Sequence, residues 1–161
     1  MTDDARFEDA PLSDRPLRLR AETADDLQIV SALVQDAVGK VGDVAWLPKK
    51  RRLVVLMNRF RWEDAARARG ARRPFERVRT ALTLDGVMAV KARGISPADR
   101  EAVYALLALD FEPGEDCSGR IVARLAGGAE LAAEVECLDA SLEDLTRPWQ
   151  AVAAGAPDHD R

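Results

Sequence analysis

The sequence predicts an α+β protein in which antiparallel strands build a β-sandwich or partly open barrel, with one main amphipathic helix near the N-terminus. Three observations lead there. Short runs such as Leu17-Arg18-Leu19-Arg20-Ala21 and Ile121 to Leu125 alternate apolar and polar residues, the period that gives a strand one buried face. One segment carries a helical repeat, with Leu27, Val30, Leu33, Val34, Ala37 and Val38 on a single face. Turn-forming pairs, Asp85-Gly86 and Gly127-Gly128 among them, separate the strand-like runs.

The elements follow in order. The first sixteen residues are polar and interrupted by Pro11 and Pro16, so residues 1–16 are expected to be a mobile arm. Leu17 to Ala21 is a strand. Thr23 and Asp26 make a weak capping box for a helix from Ala24 to Val38, which Gly39 is placed to end in a left-handed conformation. Asp43 to Leu47 is a short strand closed by Pro48. Leu53 to Met57 is apolar on both faces, as a central strand is, and continues to Trp62. Glu63 to Pro74 lacks hydrophobic periodicity and reads as an exposed loop. Phe75 to Leu84 and Val87 to Arg93 flank Asp85-Gly86, which signals a hairpin. Ser96-Pro97-Ala98-Asp99 carries helix-start signals. Tyr104 to Leu109 fits either an extension of that helix or a buried strand ending at Phe111; the favoured reading is a short helix and then a strand. The next hairpin is expected to have an odd-length loop at Gly127-Gly128-Ala129, pairing Leu125 with Leu131 and Ile121 with Val135. Ser141 to Leu145 is at most a helical turn, and Pro148-Trp149 docks the C-terminal segment. A single domain is expected over residues 17–150 and a disordered tail over 151–161.

Charge is sorted along the chain. Lys49 to Arg100 holds 15 Lys and Arg against 5 Asp and Glu, whereas the segments before and after it are acidic. Net charge of −4 therefore conceals a basic middle, and such asymmetry bears on partners rather than on fold. Hydrophobic content of 47% with 32% charged residues fits a folded globular protein. No run reaches the ~18 apolar residues that a membrane span requires, so no membrane association is expected. Cys117 and Cys137 are read as two reduced thiols in a cytoplasmic protein, although neighbouring strands would let them approach. The single His159 lies in the expected tail, which removes histidine-based triads and multi-histidine metal sites.

Chemistry-bearing residues concentrate in the basic middle. Lys49, Lys50, Arg51 and Arg52 lie in a turn, Arg59 and Arg61 follow on a strand, and Arg67, Arg69, Arg72 and Arg73 fall in the loop. Phe60, Trp62 and Phe75 are interleaved, and cations beside aromatic platforms suit phosphates and unpaired bases. The competing reading is that the acidic ends neutralise this face within the molecule. Asn58, on an otherwise apolar strand, needs a hydrogen-bond partner and either fixes a strand bend or lines a small site with Arg59. The acidic run Asp110 to Asp116 fits no twelve-residue calcium loop. No phosphate-loop or dinucleotide motif is present, so neither cofactor nor metal is expected.

The words Gln35-Asp36-Ala37-Val38, Gly42 to Pro48, Leu56 to Glu63, Phe111 to Glu115 and Glu134 to Leu138 together resemble a family of uncharacterised alphaproteobacterial proteins, a domain of unknown function. The likeness covers Leu17 to Trp149. Members of that family tend to be encoded near histidine-biosynthesis genes, which implies a housekeeping, cytoplasmic setting. The resemblance supplies no catalytic residues and marks Asn58 to Glu63 as the place for a shared binding surface.

These observations favour a non-enzymatic binding or regulatory module. Its surface of Lys49 to Arg52, Asn58, Arg59, Arg61, Trp62 and the loop arginines would engage an acidic protein partner, or a second copy of the chain in a homo-oligomer. RNA binding through the same face is the alternative. A small enzyme acting on a phosphorylated metabolite comes third, and a cleft joining Asn58, Arg59 and a carboxylate would favour it.

Overall fold

The computed structural model describes residues 16–61, 76–145 and 149–150. The expected tail, and the expected arm apart from Pro16, lie outside these residues, as do Trp62, Arg67, Arg69, Arg72, Arg73 and Phe75. Two antiparallel layers enclose the core. The first contains β1 (Arg18–Ala21), β10 (Ala140–Asp144), β5 (Glu76–Asp85) and β4 (Arg52–Phe60), with β3 (Val44–Leu47) also on β4 and β11 (Trp149–Gln150) also on β5. The second runs β7 (Val103–Pro113), β8 (Gly119–Leu125), β9 (Glu130–Val135) and β6 (Val87–Arg93). Three-residue β2 (Val38–Lys40) joins them, pairing with β4 at Val38 and Asn58 and with β7 over its whole length. The sheet does not close, because β1 and β6 end the path of paired strands. This is the expected α+β, sandwich-like antiparallel architecture.

Helix α1 (Ala24–Leu33) starts at the expected capping box. Thr23 accepts from the Asp26 amide, and the Asp26 carboxylate accepts from the Thr23 amide. A further bond from the Glu22 amide, the largest influence, and those of Thr23 hold the Asp26 carboxyl below its usual value. Leu27, Val30 and Val34 face the core. The helix stops at Leu33, earlier than expected, and Asp36 rather than Gly39 takes the left-handed turn, at φ 66°. The reason is competition from strand pairing: the Asp36 amide donates to Leu106 O, and the Leu106 amide donates to Ala37 O.

Other expectations change where pairing is non-local. Asp85-Gly86 makes no hairpin. Gly86 adopts φ +71°, but the chain turns a corner there from one layer to the other. The corner is held by the Asp85 amide on Asp139 O and the Val87 amide on Arg51 O. Ser96 to Asp99 forms a turn closed by the Asp99 amide on Ser96 O instead of a helix. Tyr104 to Phe111 is strand throughout, within β7. Ser141 to Asp144 belongs to β10, a strand between β1 and β5. The β8–β9 loop has the expected odd length and left-handed glycines, Gly127 at φ +84° and Gly128 at +81°. Its register lies two residues from the expected one, pairing Ala123 with Leu131 and Ile121 with Ala133. Cys117 and Cys137 are joined in a disulfide rather than standing as thiols, since β8 and β9 bring their Cα atoms within 4.8 Å. Among the described residues no helix is long and apolar enough to cross a membrane.

Strict alternation along β4 buries Leu53, Val55, Met57 and Arg59, and Arg61 continues the same parity. Arg59 and Arg61 are therefore inside, at 0% and 3% exposure, and not on a solvent face. Arg59 meets Asp144 of β10 in a two-pronged ion pair, Nε to Oδ1 at 3.1 Å and Nη2 to Oδ2 at 3.0 Å. Asp144 Oδ2 also accepts from the Leu17 amide at 3.0 Å. Breaking a buried pair from one side strands a charge away from water. Asp144→Ala is expected to lower the unfolding free energy by about 3–5 kcal/mol in urea titration; a loss under about 1 kcal/mol would contradict this role.

Candidate functional site

The described basic residues of the middle segment are for the most part answered within the molecule. Arg51 pairs with Glu136 and Arg52 with Asp85 at 2.7 Å. Arg77 stands 4.2 Å over the Phe60 ring, and burial lowers the pKa of its guanidinium. Lys49 and Lys50 are exposed on the turn Pro48–Lys50 and pair with no described residue. Two carboxylates of the Asp110 to Asp116 run are drawn into arginine contacts: Asp110 pairs with Arg124 at 2.6 Å and Glu112 with Arg120 at 2.9 Å. Among the described residues no group of three or more His, Cys, Asp or Glu could hold a metal ion.

Two concavities meet near β2. The first is a polar cleft of about 520 Å³ on the outer side of β2 and β4. Asn58 lies here, its parity opposite to that of Arg59, so the structure separates these two expected site residues. Its partner is its register neighbour Arg79, whose Nη1 donates to Asn58 Oδ1 at 3.4 Å. Arg79 Nη2 reaches Asp43 Oδ2 at 3.2 Å. Lys40 and Glu101 pair at 3.0 Å on the same wall, and that hydrogen bond raises the pKa of the Lys40 ammonium. Asn58 thus meets the guanidinium of Arg79, itself paired with the Asp43 carboxylate, and not that of Arg59.

The second is an apolar pocket of about 350 Å³ between the layers. Leu53, Val55 and Met57 of β4 form one wall, and Tyr104, Leu106 and Leu109 of β7 form the other. Trp46 of β3 and Ile95 of the β6–β7 connection line it as well. The exposed lining residues Ala92, Pro97 and Arg100 mark its opening. Burial, then the charge of Asp43, raises the Tyr104 pKa well above that of an ordinary phenol, with Arg79 opposing. Tyr104 is therefore a neutral donor, and its hydroxyl gives a 2.9 Å bond to Leu56 O.

That bond crosses β2 above Gly39, which pairs with Tyr104 in register. A Cβ on Gly39 would stand 2.6 Å from the Tyr104 hydroxyl and 2.8 Å from Leu56 O, so glycine is required by close approach. Arg100 lines both concavities. Its carbonyl accepts from the Gly42 amide at 2.8 Å, and its Nη2 donates to Gly42 O at 3.2 Å. Sequence reasoning overlooked Arg100, Asp43 and Tyr104 as site residues. The sequence signal at Arg79 is its place two residues from Arg77, on the same side of the strand.

Fold and site define a class: an α+β protein of two antiparallel layers with an apolar chamber between them and a charged cleft at its side. The chain belongs to the family described as "Protein of unknown function (DUF2948)", whose model matches residues 17–159. No curated protein and no solved structure matches the chain.

Gly39→Ala should force Tyr104 off Leu56 O and open the join between the layers. The expected loss is about 1–3 kcal/mol of stability, the usual cost of overpacking, with faster amide exchange at Leu106. A variant as stable as the parent would refute the close-approach argument.

Proposed function

We propose that this protein is a non-enzymatic binding module that holds a small, largely apolar molecule between its sheet layers. The observation that carries this reading is the apolar pocket itself: side chains of both layers converge around about 350 Å³ of space. Ligand pockets of roughly 300–1,000 Å³ with mostly apolar linings and few polar groups are the common form of small-molecule sites. Electrostatic docking is less favoured, because Arg79, Arg52, Arg51 and Arg59 spend their charge on Asp43, Asp85, Glu136 and Asp144. The same proposal sets the protein in the cytoplasm, where a disulfide such as Cys117–Cys137 is uncommon. Neither cysteine lines the pocket, so ligand binding does not require their bond.

The test uses N-phenyl-1-naphthylamine, a neutral fluorophore that brightens in apolar surroundings. Saturable brightening at one probe per chain is expected, and Ala92→Trp, which fills the opening at an exposed position, should weaken it at least tenfold with an unchanged circular dichroism spectrum. Absence of saturation, or parent-like binding by the variant, would overturn the reading.

One observation favours a second reading, the docking of an acidic protein partner: Lys49 and Lys50 project from the Pro48–Lys50 turn without a described carboxylate partner. Replacing both with alanine should lower the salt concentration that elutes the protein from an immobilised polyanion, because each phosphate-like contact released adds to the salt dependence. Unchanged elution removes these lysines from any such surface.

A further inference from the structure

Resting on the pocket reading above, we infer that the ligand is an amphipathic monocarboxylic acid whose head binds Arg100 and whose apolar body enters the chamber. Arg100 is the charged residue common to the two concavities. An anionic group at its guanidinium would stand at the opening of the apolar pocket, with the polar cleft beside it.

Charge in the cleft selects the head. Lys40, Arg79 and Arg100 face Asp43 and Glu101, an excess of one positive charge among the described residues. Lys40 is engaged by Glu101 and Arg79 by Asp43, whereas the partner of the Arg100 guanidinium is the Gly42 carbonyl. One anionic charge balances this set. A dianionic phosphate would overfill it and would also face Asp43 and Glu101. A planar carboxylate matches the guanidinium fork in two-pronged geometry, and a guanidinium has five donors of which a single bond to Gly42 uses one.

Geometry keeps that guanidinium in place and reachable. The Gly42 amide fixes the Arg100 backbone at 2.8 Å, while the residue is exposed. A Cβ on Gly42 would lie 3.0 Å from Arg100 O and 3.4 Å from its Cζ, so glycine leaves the head site clear. Size limits the body. A dry cavity of roughly 150 Å³ takes a benzene ring, and about 350 Å³ therefore suits a chain or ring system of about twice that bulk.

Calorimetry with octanoate, octan-1-ol and octyl phosphate on the full chain tests this assignment. Octanoate should bind at least tenfold more tightly than octan-1-ol, and octyl phosphate no more tightly than octanoate. In Arg100→Gln the preference for octanoate over octan-1-ol should vanish while octan-1-ol affinity stays within about twofold, a tenfold preference being about 1.4 kcal/mol. Equal binding of acid and alcohol by the parent, survival of the preference in Arg100→Gln, or tighter binding of octyl phosphate would overturn the assignment. So would failure of all three octyl ligands where the neutral fluorophore binds. Failure of the fluorophore as well would sink the pocket reading instead.

Discussion

Arg59 and Asp144 remove two opposite charges from water at one place, and much of the first layer is organised around that event. β4 supplies the guanidinium and β10 the carboxylate, although β5 lies between them in the sheet. The pair therefore reaches over the intervening strand on the core side. Asp144 also receives the Leu17 amide, which ties the approach to β1 into the same contact. A buried pair of this kind adds little net stability compared with apolar packing, yet its geometry excludes alternatives. A slip of β4 by one residue would turn both Arg59 and the adjoining Leu53, Val55 and Met57 outward together.

The second organising contact lies where the layers join. β2 is short and touches β4 at a single register pair, so the ladder alone is weak there. Tyr104 adds a side-chain bond from β7 to the β4 backbone, passing over Gly39 in the manner of an aromatic ring covering a strand glycine. Because the Tyr104 ring also lines the apolar pocket, the same residue that fastens the join forms part of the chamber wall. Stability and pocket shape are coupled through it.

Legibility in the sequence followed the range of the interactions. The capping box of α1 and the odd-length glycine loop between β8 and β9 are local, and both appear in the structure, the loop with its strand pairing two residues from the expected register. β4 is instructive because its period-2 pattern already put Arg59 and Arg61 on the parity of Leu53, Val55 and Met57, and the clustering of basic residues obscured it. The corner at Gly86 and the strand at β10 depend on partners far along the chain, which a turn dipeptide or a five-residue window does not contain. Asn58 could be singled out as a polar residue needing a partner, but Arg79 and Asp43 become its neighbours only through register and the β2–β3 turn. Arg100 had no signal: it is a lone cation in a connection, and its importance arises from what Gly42 and the two concavities place around it.

Among the described residues β1 and β6 each pair with one strand only, which leaves an edge of the kind on which a foreign strand can add itself. Both edges carry exposed ion pairs, Arg18 with Glu143 and Arg20 with Asp139 on one and Arg93 with Glu130 on the other. A strand added to either edge would have to displace those pairs or strip them of water. Charged side chains along both edges thus act against self-templated polymerisation.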